Sequence, residues 1–496
     1  MKQRGSITVF SALAFMLVAS FLFALLEAGR QYQLDLYADM STSLAIESVC
    51  AEYQPKLWQD YHLLGLDGSY GGEIFSMEQV TGVLGARVRA NLAQEGAGSR
   101  LMGLSLDMAY PKEYQLLTDG DGSVFLHCVS TYMKENLTME AAQLLYEQYT
   151  QGAVTEKNGQ AEGSVEQAQM AVEEALAQRE AAKQEQGMQE QTEVIVPDEP
   201  VSVQENPLEV VLAAKQNLLL GMVVEDAKNL STVAIDLTEA LDNRICQKGT
   251  ADTMPDIGWY EKVLALEYLG KYFGDYRTPA EGHVLAYELE YVLCGKQSDR
   301  DNLEGVVGRL LLLREAANML HIISDSEKQG AAMALATALV GFTGNTAIIK
   351  MVQIGIMAAW AYAESILDLR ALLAGNKIAL LKSREQWTTQ LGSLAQIFAG
   401  GQQAKNCENG LSYQNYLKGF LFMMKEKNLA YRMMGIMEQN IRQIPVYHNC
   451  RMDHILCALS YEVSYTAQPL FWDLSILQQP KLMETRFDVS KSFSYY

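Results

Sequence analysis

The sequence predicts an α+β protein in which an N-terminal transmembrane helix continues into a mixed helical and strand region on the extracellular side. Three observations carry that prediction. Ile7–Leu26 is a run of twenty residues without a charge. Beyond it, apolar residues recur at intervals of three or four over most of the chain, the period of a helix. A few short segments alternate apolar and polar residues between turn-forming ones, the period of a strand.

Composition narrows the function classes. Of 496 residues, 49% are hydrophobic and 20% charged, the composition of a folded protein long enough for two or three domains. Sixty acidic against thirty-nine basic side chains give a net charge of −21. That excess repels phosphate backbones, and no Lys/Arg cluster reverses it locally, so nucleic acid is not an expected partner. The seven cysteines, at 50, 128, 246, 294, 407, 450 and 457, are odd in number and widely spaced, which is not a disulfide framework. They read as small buried hydrophobes, with one or two bridges left open if the region is exported.

Taken in order, residues 1–6 form a short basic leader expected in the cytoplasm, and residues 7–26 the span. A helix of that length covers about 30 Å, the thickness of a bilayer's hydrocarbon core. Lys2 and Arg4 precede it, whereas Glu27, Asp35 and Asp39 follow with only Arg30 opposing. The positive-inside rule therefore places the N-terminus in the cytoplasm and the large C-terminal region outside the cell membrane. A cleaved secretory signal would have a shorter apolar core and a small-x-small site after it.

Residues 27–150 form a membrane-proximal α+β lobe. The helix is expected to run on through Leu34, Tyr37, Met40 and Leu44 and to end near Pro55. A second helix follows at Glu73–Gln94, a strand at Leu101–Thr118, and helical spacing at Phe125–Tyr149. Residues 151–207, rich in Gln, Glu and Ala with prolines at 197, 200 and 207, read as a low-complexity linker that buries too little apolar surface to fold, apart from a solvated helix. Residues 208–496 form a distal α+β lobe. In it, Leu285, Tyr287, Leu289, Tyr291 and Leu293 alternate with Glu288 and Glu290 in the manner of a strand. Asn302–Ile323, Ala331–Leu373 and Tyr413–Gln443 are helical, and residues 446–467 and 484–496 read as strands. Ala331–Tyr362, broken by Gly341 and Gly344, reads as a buried helical hairpin because neither apolar piece is long enough to cross a bilayer.

Three groupings have the residue types of a metal site. Asp39, Ser41 and Ser43 match D-x-S-x-S, the metal-adhesion pattern of von Willebrand A domains, but lie in a helical stretch where that pattern needs a loop. Asp119-Gly-Asp121-Gly-Ser123 resembles the start of a calcium loop, yet Ser130 stands where a bidentate carboxylate is needed, and a tight turn is preferred. His448, Cys450, His454 and Cys457 lack paired zinc spacing and read as strand residues, with 448, 450 and 454 on one face and 457 opposite. No metal and no cofactor are therefore expected. Arg309 and Arg314 are candidates to pair with Glu288, Glu290 or Glu364 in a structural network. No nucleophile elbow, Walker loop, H-E-x-x-H or dinucleotide fingerprint is present, and the chain is not expected to be an enzyme.

The basic leader KQRG before SITVF resembles the site cut by prepilin peptidases, which places a cut between Gly5 and Ser6. Phe10 stands where type IV prepilins carry Glu, and a plain basic membrane flank is the other reading. GSITVF, the apolar helix, LLEAGR and ADMSTSLAIESVCAEYQPKLWQDYHLLGLD together resemble the N-termini of TadE/TadG-like proteins of tight-adherence (Flp-type) pilus loci. The whole chain resembles an uncharacterised Gram-positive family with this start, through YELEYVLCGKQSDRDNL, RLLLLREAANM and AAWAYAESILDLRALLAGNKIALLKS. The resemblance implies a membrane-anchored structural or assembly component of a pilus or related secretion apparatus, with the lipid membrane and other membrane proteins of that apparatus as partners. A single-span envelope receptor with no pilus role is the alternative.

Overall fold

The computed structural model describes residues 3–93, 103–135, 137–158, 164–186, 206–224, 229–468 and 485–496. Helix accounts for 63% of the structure, with one small antiparallel sheet. The chain divides into two compact units, and neither is continuous in sequence. The first takes residues 1–132, 244–256 and 437–496; the second takes 133–243 and 257–436.

In the first unit α1 (Gln3–Cys50) is one uninterrupted helix. It ends before Pro55, which instead occupies the first turn of α2 (Pro55–Tyr61), where a missing N–H costs nothing. β1 (Leu66–Asp67), α3 (Met77–Leu92), β2 (Leu104–Leu116) and α4 (Ser123–Met133) follow. β3 (Ile455–Ala467) and β4 (Thr485–Ser494) complete the sheet from the far end of the chain. β3 is its centre: β2 pairs along one edge, β4 and the short β1 along the other, all antiparallel. Pro111 sits in β2, an edge strand, beside one of its register shifts, where a residue without an N–H is tolerated. α1 and α3 supply the apolar layer over this sheet. Ala38, Ala45, Ile46 and Val49 meet Val80, Leu84 and Val88, together with Leu459, Tyr461, Val463 and Tyr465 of β3.

The excursion 244–256 is fastened into this unit by charge. The Arg244 guanidinium donates to Glu438 at 2.6 Å and to Asp453 at 2.6 Å. The Gly249 N–H donates to Asp119 at 2.9 Å.

The second unit is helical. Its elements are α5 (Met139–Asn158), α6 (Ser164–Gln186), α7 (Pro207–Lys215), α8 (Leu219–Val223), α9 (Trp259–Tyr272), α10 (Glu288–Cys294), α11 (Asp299–Ser324), α12 (Ser326–Val340), α13 (Thr346–Leu373), α14 (Leu394–Ala399), α15 (Tyr413–Phe422) and most of α16 (Glu426–Arg442). α12 and α13 form the hairpin expected around Gly344, which takes φ +66° in the turn. α13 is apolar enough to cross a membrane by composition, but 56% of its most apolar window is buried inside the protein. A core helix passes the same test.

Four expectations are corrected. Residues 151–207 do not separate two lobes: α6 lies within them and buries Val165, Ala168, Val172 and Ala175 in the second unit. Few and small apolar residues suffice because Gly355 of α13 lets α6 approach; a Cβ there would stand 2.0 Å from that of Ala168. Residues 187–205 of that stretch lie outside the described residues. The division at 27–150 and 208–496 also fails, because β3 and β4 belong with α1. The 285–293 segment is a helix from Glu288, not a strand, and both of its acids are fully buried. Finally, residues 446–454 precede the strand, which begins at Ile455.

Candidate functional site

The feature that distinguishes this chain is the surface of α1. Along residues 7–26 no described residue covers it: Phe10, Phe15, Leu17 and Phe21 are 72%, 74%, 70% and 62% exposed. The segment is long and apolar enough to cross a membrane, with a mean hydropathy of 2.6 over its most apolar window. The first charges after it, Glu27 and Arg30, are buried against each other at 2.6 Å. Arg30 also donates to the Gln468 carbonyl at 2.8 Å, tying the end of the span to the end of β3. From there α1 has two faces. Leu34, Ala38, Thr42, Ala45, Ile46 and Val49 are buried, and the Thr42 hydroxyl lies 2.7 Å from that of Tyr465. On the other side Tyr32, Leu36, Met40 and Leu44 stay exposed at spacings of four, a stripe one helical row wide. Of the periodic residues that carry the helix past the span in sequence, Leu34 is buried, whereas Met40 and Leu44 face outward.

Gly5 and Ser6 lie in the first turns of α1, and their side chains are outside the described residues. Asp39, Ser41 and Ser43 are helical as expected: Ser43 donates to the Asp39 carbonyl at 2.9 Å, and Asp39 meets Lys491 at 2.8 Å. Asp119–Ser123 is a turn with Gly120, Asp121 and Gly122 all at positive φ. Burial raises the Asp119 carboxyl above its ordinary value, against the pull of the Gly249 and Leu116 N–H groups. His448, Cys450, His454 and Cys457 do not converge. His448 bonds the Pro445 carbonyl, Gln54 donates to Cys450, and Cys457 donates to Gln115. Among the described residues no group of three or more His, Cys, Asp or Glu is placed to hold a metal.

The expected arginine network exists with different partners. Arg314 is wholly buried and donates from Nε to Asp368 at 2.9 Å, and from Nη1 to the Ala379 and Leu380 carbonyls and the Tyr416 hydroxyl. Lys382 bridges Asp368, at 2.5 Å, and Glu364. Asn318 donates to Asp368 and Ser365. Burial opposes the charge on Asp368, but the Arg314 and Lys382 cations overcome it and hold the carboxyl below its ordinary range. Glu288 instead accepts from Gly274 N–H, and Glu290 from Tyr276 N–H and the Tyr413 hydroxyl. Arg309 is exposed and makes no ion pair among the described residues. Glu364 and Asp368 stand four apart in an apolar run, and that spacing was the available sign that both face inward. Every charge in the network is paired, so it is suited to fixing helices, not to transferring protons.

A family model described as a family of unknown function (DUF5702) matches residues 197–467, more than half of the chain. No curated protein and no solved structure matches.

Proposed function

The chain belongs to the DUF5702 family, which brings no activity with it, and we propose from its own features that it is a non-catalytic, membrane-anchored assembly component of a tight-adherence (type IV-like) pilus or a related secretion apparatus. In this reading the N-terminus is cytoplasmic and both units lie outside. The carrying observation is α1: an apolar span that no described residue covers and that runs without a break into a helix whose outer row, Tyr32, Leu36, Met40 and Leu44, is exposed among the described residues. A tether needs only length and hydrophobicity. A helix that packs in an assembly also needs a lateral surface, which this row and the small residues Ser11, Ala12, Ala14, Ala19 and Ser20 of the span would supply. The TadE/TadG-like start agrees with that role.

The test replaces Ile7–Leu26 with a poly-leucine span while keeping Lys2, Arg4 and both units. Insertion is expected to persist, while cross-links to pilus proteins in native membranes and pilus-dependent adhesion are lost. Normal cross-linking and adhesion by the swapped protein would reduce α1 to a tether. Protease added to wall-stripped cells is expected to digest both units, and their protection would reverse the topology. The alternative, an anchored ligand-binding protein, is favoured by one observation, a cavity of about 940 Å³ in the second unit.

A further inference from the structure

That cavity lies wholly within the second unit, between the α7–α8 turn, the C-terminus of α13 and the segment after α14. Its volume is in the range that holds small organic ligands. Two arginines line it. Arg370 is 8% exposed and spends its Nε on the Met222 carbonyl at 2.7 Å and its Nη1 on the Ile397 and Gln402 carbonyls. Arg277 is exposed and donates one nitrogen, Nη1, to the Leu373 carbonyl at 2.7 Å. Both carbonyl-bound nitrogens orient the guanidinium groups, and Nη2 of each is left over. Among the described residues neither arginine forms an ion pair, whereas Arg314 and Lys382, the wholly buried cations of this unit's network, each meet a carboxylate. Burial lowers the Arg370 guanidinium below its ordinary value, with no carboxylate to restore it.

A cation held nine-tenths out of water without a counter-charge is costly, and an anion is what offsets that cost. The rest of the lining says what the anion is attached to. Leu218, Val223 and Phe398 give an apolar wall, and the N–H groups of Gly400 and Gly401 have no partner among the described residues. We propose that the cavity binds a small amphiphilic anion, its carboxylate or phosphate group between Arg370 and Arg277 and its apolar body against Leu218, Val223 and Phe398. The site is independent of the assembly role of α1, so its failure would leave that reading intact.

The test is isothermal titration of the full chain in phosphatidylcholine nanodiscs with phenyl phosphate, with benzoate and with neutral benzamide. At least one anion is expected to bind at least tenfold more tightly than benzamide, and which of the two binds better identifies the head group. Arg277→Met, at an exposed position that leaves the Arg370 clamp in place, is expected to weaken that anion tenfold or more while the unfolding midpoint stays within a few degrees. Equal affinity for benzamide, no binding of either anion, or unchanged affinity in Arg277→Met would each overturn the proposal. Glu225 and Asp226 follow Val224 in sequence, so E225Q/D226N is titrated in parallel. Anion binding that appears only in that variant would mean that the chain's own carboxylates serve the arginines, and would equally overturn an external ligand.

Discussion

Among the described residues Arg314 is the largest side chain buried completely, and its charge is offset by the Asp368 carboxylate, with the Ala379 and Leu380 carbonyls and the Tyr416 hydroxyl around it. Removing one member strands the others: Asp368→Asn is expected to cost about 3–5 kcal/mol in denaturant unfolding of the second unit. The double variant R314M/D368L should cost less than the sum of its singles, and strict additivity would show that the pair is not coupled. Glu290 is the opposite case, a buried acid with no cation. Burial raises its carboxyl from the ordinary 4.5 to about 8, against the bonds from Tyr413 and Tyr276, and Oε2 has no hydrogen-bond partner. The folded state therefore holds a proton that the unfolded chain releases. The stability this contributes is fully present below about pH 4.5 and is lost as the pH rises towards 8. Glu290→Gln, which mimics the protonated acid, is expected to remove a decline on the order of 2–4 kcal/mol across that window. Parallel pH profiles for the two proteins would refute the assignment. These residues were only half legible in sequence. Glu288 and Glu290 look like the wet face of a strand, because alternation counts an acid as exposed and cannot see a backbone N–H waiting for it.

Apart from α10, which alternation makes look like a strand, the helices were legible as helices, but their faces were not. The α1 periodicity is plain, yet its inner face sets Ala38, Thr42 and Ala45, which weigh little in any hydrophobic pattern, between Leu34 on one side and Ile46 and Val49 on the other, while Leu36, Met40 and Leu44 point outward. Small residues are inside because α1 lies close against the sheet. It follows that Ala38→Leu should overpack this contact and cost about 1–3 kcal/mol, whereas L36Q/M40Q/L44Q should leave the unfolding midpoint almost unchanged and weaken partner cross-links. If the triple variant unfolded the first unit instead, the outer row would be core. The same logic explains why α6 reads in sequence as a solvated helix and not as a docked one. Its surface is mostly Gln and Glu, and docking depends on a partner position far away in sequence, Gly355. Gly355→Ala is expected to free α6 and speed proteolysis within residues 164–186, and Ala168→Gly in the same chain should slow it again. No rescue would mean that the two positions do not meet.

At the scale of the molecule, the sequence pointed to a linear order of leader, span, lobe, linker and lobe, and a linear reading has no means of bringing the last strands back to the first helix. Pairing partners that far apart leave no local signature. A chain stopped after Ile436 is expected to keep the second unit protected in hydrogen exchange while residues 27–132 exchange freely; protection of both would contradict the discontinuous first unit. The central strand has a further consequence, in time. β2 ends at Leu116, but β3, the only strand it pairs with among the described residues, begins at Ile455. At roughly 5–20 residues per second, about 20–70 s of synthesis separates the two. Throughout that interval α1 is already made and able to enter a bilayer, the second unit can fold in the open loop, and β2 waits with both edges bare. How long this strand stays open to wrong partners is then set by the ribosome's pace more than by the sheet's own folding rate, and Leu104–Leu116 is the segment on which a chaperone would have most to do.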